Sequence, residues 1–210
     1  MQETTERTAH LRSGVRLEIF TVGWLVVETV LAIGAGIVAR SLLLTAFGID
    51  SLIELVTGAI LLWRLGIEVR GGTLSRVRET EKRATWVTAG ALVLLCGYVL
   101  ITAIVGLLLH SKPESSPIGI AISIGAVIVM PWLAWRKRIV AGRIGSDALR
   151  GDAASSLTCG YMAGTVLIGL LLNALLHWWW AEDVAALLFL VWLVQETRET
   201  IEEAREPKTA

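Results

Sequence analysis

Four things are scarce in these 210 residues. Charge comes first: Asp, Glu, Lys and Arg make up 18% of the chain, against about 25% in an ordinary soluble domain. Cysteine is the second. Cys96 and Cys159 are the only two; they lie far apart, each inside an apolar run, which excludes a disulfide-stapled secreted domain. Net charge is the third. Nineteen basic and nineteen acidic residues cancel, so a nucleic-acid binder is not expected. Long polar stretches are the fourth, and no separate soluble domain is expected, because the charged tail from Gln195 is too short to fold by itself. There is also no HExxH pair, no nucleophile–base signature and no phosphate-cradling glycine loop, so the reading is not an enzyme and has no organic cofactor.

What is present is apolar sequence. Hydrophobic residues reach 54% and fall into six runs, at 15–38, 42–63, 84–109, 117–135, 152–179 and 181–194. A helix rises about 1.5 Å per residue and a bilayer core is about 30 Å thick, so runs of this length span as helices, the sixth and shortest only with Gln195 and Thr197 near the interface. The fold class expected is all-α, a polytopic membrane protein of six transmembrane helices over 15–203. A segment at 1–14 precedes it and a tail at 204–210 follows. Residues 1–10 are polar and no cleavage signal follows the first run, so that run is kept as a helix.

Basic residues set the orientation. Seventeen of the nineteen Lys and Arg fall in the N-terminal segment, the 64–83 and 136–150 loops and the C-terminal tail; only Arg40 and Lys112 fall on the other side. This bias places both termini in the cytoplasm and the protein in the cell (inner) membrane. Tryptophans mark the interfaces: Trp63, Trp86 and Trp135 at the inner boundary, Trp178, Trp179 and Trp180 at the outer one. Gly160 and Gly164 predict close helix packing on the fifth span.

The chemistry is expected from acids placed where lipid should be. A carboxylate at mid-bilayer costs at least ~2.5–3.5 kcal/mol, so such residues face a cavity or a partner. Glu28, Asp50, Glu54 and Asp152 stand inside the runs, and none has a basic residue in the same apolar core. A divalent cation or a proton neutralises them better than a salt bridge. Asp50 and Glu54 are four apart, on one face of the second helix, and make half of a cation site. Asp152, Ser155, Ser156 and Cys159 form a polar stripe on the fifth, where a carboxylate and a thiol can supply the other half. Glu28 reads either as a proton-coupling acid or as a further ligand. His110 and His177 read as interfacial.

These residues carry a resemblance. The segment 40–64, with Asp50 and Glu54, resembles the second transmembrane helix of the cation diffusion facilitator (cation efflux) family. The stretches 166–170 and 178–186, with Asp183 at a boundary position, resemble the family's end of helix five and start of helix six. The membrane-domain-only pattern is similar to the branch that includes the transmembrane protein 163 type. The resemblance implies a six-helix fold with cytoplasmic termini, a homodimer, and exchange of zinc or another divalent metal for protons. It aligns Ser155 and Cys159 with the usual helix-five ligands and Asp152 with an acid preceding them. The implied metal set is therefore Asp50, Glu54, Asp152, Cys159 and Ser155, with the metal as substrate. The rival reading is a non-transporting membrane protein whose acids hold a structural ion or a helix contact while it binds a partner. A third is a proton-coupled carrier of an organic cation.

Overall fold

The computed structural model describes residues 2–70, 75–110 and 113–205. It holds six helices, α1 (Gln2–Ala39), α2 (Leu42–Val69), α3 (Ser75–Leu109), α4 (Pro117–Ile144), α5 (Asp147–Leu176) and α6 (Ala181–Arg205), and no strand among the described residues. The all-α, six-helix expectation holds. Five of the helices are long and apolar enough to cross a bilayer, over Ala9–Ala39, Leu42–Val69, Thr85–Leu109, Pro117–Ile144 and Ala148–Leu176. The sixth is apolar through Val194 and charged beyond it.

Local chemistry explains where the helices turn. Ser41, Ser116 and Ser146 are extended N-caps whose hydroxyls accept from the N–H of Leu44, Gly119 and Leu149 at 3.2, 3.0 and 3.3 Å. Each satisfies a backbone donor that the first turn leaves free. Pro117 begins α4, where its missing N–H costs nothing. Gly145 ends α4 and His177 ends α5 in the left-handed region, at φ 66° and 53°. Glycine adopts that backbone freely, and histidine is among the few side chains that tolerate it.

The six crossings return the chain to the face where it began, so the described ends of α1 and α6 share one face. On the opposite face the helix ends fall within three residues of the expected runs. On the termini face they overrun. α2 continues to Val69, α4 to Ile144 and α6 to Arg205, α5 starts at Asp147, and α1 is helical from Gln2. Arg, Lys and Glu are good helix formers, so the helices do not stop where the apolar sequence does. Of the residues used for orientation, Lys112 lies outside the described residues, as do 206–210 of the tail.

α1, α2, α5 and α4 contact one another in a ring, and α3 and α6 pair beside it against α2 and α5. Leu25, Phe47, Met130, Met162 and Phe189 fill the core. Gly160 lets α5 approach α4 closely, since a Cβ there would lie 2.9 Å from the Pro131 ring. Gly164 has only an ordinary contact, with Val127 at 3.9 Å. Large apolar side chains such as Val38, Leu94 and Leu109 face outward, as do Trp63, Trp86, Trp135, Trp178 and Trp180. That is the surface a protein presents to lipid.

Candidate cation site

Asp50 and Glu54 lie on the buried face of α2, 4% and 6% exposed. Both carboxylate oxygens of Glu54 are buried, and neither has a hydrogen-bond partner among the described residues. Glu28, Glu196 and Asp152 are near enough to act on Glu54 electrostatically, the Cys159 thiol stands beside it, and Glu196, Glu54 and Glu28 act on Asp50. Acids from α1, α2 and α6 thus share one buried region with a thiol from α5.

Glu28 is fully buried and gathers three donors. Ser51 Oγ donates to Oε1 at 2.7 Å, and Cys159 Sγ reaches the same oxygen at 3.7 Å. The indole N–H of Trp24 donates to Oε2. Trp24 reaches this position because α4 presents Gly125 to its ring; a Cβ there would lie 2.6 Å from the indole. Trp24 and Ser51 are therefore site residues that periodicity alone did not single out.

The polar stripe of α5 does not act as one unit. Successive helix residues turn by about 100°, so Ser156, Asp152, Cys159 and Ser155 fan across about 100° of the helix surface in that order. One edge of the fan faces α4. There Lys137 Nζ donates to Asp152 Oδ2, and to Ser156 Oγ at 3.3 Å. The middle of the fan, Cys159, faces Glu28. At the other edge Ser155 Oγ donates to Glu196 Oε1 of α6 at 2.9 Å.

The expectation that no basic residue shares the core is therefore corrected. Lys137 is fully buried and forms an ion pair with Glu18 of α1 at 3.1 Å as well as with Asp152. Sequence reading ended the fourth span at 135 and counted Lys137 as a loop charge, but α4 runs two and a half turns further. Glu18 and Glu196 were missed likewise, one near the start of the first run and the other in the polar tail. Their only sequence signal is helical phase. Glu18 falls ten residues before Glu28, about 80° round α1 from it, and Glu196 falls three after the core residue Leu193.

At the opposite face a third pair of buried acids divides, Glu182 with both oxygens bonded and Asp183 with Oδ2 unpartnered among the described residues. Glu182 is 3% exposed and accepts from Ser41 Oγ and from Asn173 Nδ2 at 2.8 Å. Asn173 also donates to the Pro113 carbonyl at 3.2 Å. The boundary residue Asp183 is buried against Gly106 of α3. His110 and His177 stand at the ends of α3 and α5, with His110 against Trp179 at 4.5 Å between ring centroids.

Among the described residues, no three His, Cys, Asp or Glu side chains converge closely enough to hold a metal ion as they stand. The bundle instead collects carboxylates of excess negative charge around α2 and gives the nearby Asp152 an internal ammonium.

No curated protein matches the chain. The family model of the cation efflux transmembrane domain matches residues 78–206, from the first turn of α3 to the end of α6. The match takes in Lys137, the α5 stripe and Glu196, and stops short of Asp50 and Glu54. It covers more than half of a multi-pass helical membrane protein with acids sealed in its bundle, and the chain belongs to the cation efflux family of membrane cation transporters.

Proposed function

We propose that the protein exports a divalent metal cation, zinc foremost, from the cytoplasm in exchange for protons. The observation that carries this is the Glu54 carboxylate, buried with neither oxygen bonded, among Asp50, Glu28, Glu196 and Cys159. Carboxylates crowded out of water require a cation or protons. A site that takes either in turn is an exchanger, because metal ligands must shed protons to bind and take them up again on release. Asp50, Glu54 and Cys159 take the ion in this reading. Two carboxylates and a thiolate suit zinc, which accepts oxygen and sulfur together. Asp152 adds a ligand from α5, Ser155 orients Glu196, and Glu28 carries a proton. Drawing these groups onto one ion requires α2 and α5 to close, which couples binding to a change of access. The basic-residue bias supports cytoplasmic termini in the cell membrane, and the family resemblance supports a homodimer.

Zinc uptake into proteoliposomes holding a zinc-sensitive dye, under an imposed pH gradient, tests the reading. Gradient-dependent uptake by the wild type that vanishes in Asp50→Ala is the expected result. Absence of flux for zinc, manganese, cobalt, iron and cadmium alike would replace it with the partner-binding reading. Flux retained in Asp50→Ala would move the site elsewhere.

A further inference from the structure

Lys137 has no task in cation binding as proposed above, yet it is completely buried. It is fully sealed between α1, α4 and α5, with Glu18, Asp152 and Ser156 as partners. One ammonium faces two carboxylates. A strut between helices needs one carboxylate, and a second buried acid with a single shared counter-charge is an expensive addition.

The position of the cluster is specific. The Glu18 carboxylate rests over Gly58 of α2, where a Cβ would lie 3.0 Å from Oε1. Gly58 is four residues beyond Glu54, one turn closer to the termini face on the same side of the helix. Lys137 and Asp152 are both felt electrostatically at Glu54. The triad therefore lies directly beneath the acids of the candidate cation site. It holds by its carboxylate the one α5 acid that could join them.

We infer that Lys137 is a tethered stand-in for the transported cation: its ammonium occupies Asp152 while the site is empty and withdraws onto Glu18 when a divalent ion arrives. The inference rests on the transport reading of the same site. The second carboxylate then has a purpose. With the ion on Asp152, Lys137 and Glu18 remain as a one-to-one pair, so no bare ammonium is left in the bundle. When the ion leaves, the ammonium returns and Asp152 is never buried alone. Protons then need to reload only the remaining acids of the site, because Asp152 already has its counter-charge. Gly58 supplies the room in which Glu18 keeps its share of the ammonium.

A stand-in competes with the ion it replaces, and competition has a sign that a strut does not share. Zinc affinity is measured by calorimetry on purified protein in detergent, and zinc uptake in proteoliposomes. Lys137→Met should bind zinc about tenfold more tightly, a coupling of ordinary size between two ligands of one site, while its uptake slows. Asp152→Asn should bind more weakly, and adding Lys137→Met to it should change affinity no further, because the contested carboxylate is gone. Should Lys137→Met assemble poorly, Glu18→Gln with Lys137→Met removes the stranded acid and should show the same tightening. Unchanged or weaker zinc binding in folded Lys137→Met overturns the inference and leaves the transport reading standing. Failure of both Met variants to assemble, with Lys137→Arg assembling normally, makes Lys137 a strut and overturns it too. No zinc binding by wild type or variants overturns this inference together with the reading beneath it.

Discussion

One helical turn of α2 separates two ways of keeping carboxylates out of water. Toward the termini face, Glu18 and Asp152 share the ammonium of Lys137 and a serine hydroxyl stands beside it. One turn further in, Glu54 has acids and a thiol for neighbours and no hydrogen bond to either oxygen. Burial is nearly the same in both layers, so burial alone does not distinguish a structural acid from a functional one. Partnership does. A protein that only needed its helices joined could pair every acid, as this one does with Glu182 at its far face. Leaving Glu54 unpaired costs stability, and the return on that cost is a place where a mobile cation is the missing partner.

The sharpest break of that comparison is Glu54→Gln. If Glu54 is unpaired because a cation completes it, the amide should lower metal-driven uptake by about a hundredfold or more, the effect of losing a charged ligand in a low-dielectric site. The protein should still fold. Removing an uncompensated buried carboxylate should even raise unfolding stability by about 1–2 kcal/mol, seen as a higher thermal midpoint in detergent. Uptake at the wild-type level would place Glu54 with the structural acids despite its missing bonds.

Glu182→Ala is the counterpart on the satisfied side. It removes the acceptor of Ser41 and one of the two acceptors of Asn173, and hydrogen bonds to a charged group contribute about 1.5–3 kcal/mol. The thermal midpoint should fall by a matching amount, with zinc affinity unchanged. A loss of affinity with no loss of stability would show that the far-face cluster belongs to the transport path and that partnership fails as a criterion.

The same contrast explains what could be read from sequence. The helix ends opposite the termini were legible because the apolar runs there stop where the helices do, at Ser41 before α2 and at Ser116 with Pro117 before α4. On the termini face the α4–α5 turn does carry stop signals, Gly145 and Ser146, but they stand well beyond the end of the apolar run. Charged helix formers follow the apolar runs there, and hydropathy records where lipid-compatible sequence ends, not where the helix ends. Lys137 thus read as a loop charge and Glu196 as tail, although both stand on helix faces that point inward. Asp50 and Glu54 were legible because two acids one turn apart inside an apolar run are costly to insert and so point to a cavity or a cation. The α5 stripe was legible as polar but not in its divisions. A fan of about 100° is wide enough to face three neighbours, and which neighbour takes which residue depends on packing that one helix does not encode.

Glu28 lies between the two classes, and the smallest effect expected here decides where it belongs. Its Oε1 has two donors, Ser51 and Cys159, while Oε2 has the Trp24 indole. Trp24→Phe removes that N–H together with the outer ring edge that lies against Gly125, a packing loss that is the same at every pH. If Glu28 is held ionised by its donors, as a structural acid would be, losing one should cost about 1–2 kcal/mol in unfolding stability, since the acceptor is charged and sealed. A protonated Glu28 has less to lose: a neutral carboxyl gains about half as much from each hydrogen bond and can donate one of its own. The cost should then stay under about 1 kcal/mol. Comparing the thermal midpoints of wild type and Trp24→Phe at pH 6 and pH 8 separates the two. A gap that widens at the higher pH shows that Glu28 sheds its proton within that range, as a proton-coupling acid must. A constant gap of the larger size shows an acid ionised throughout, grouping Glu28 with Glu182 and leaving proton exchange to Asp50, Glu54 and Glu196.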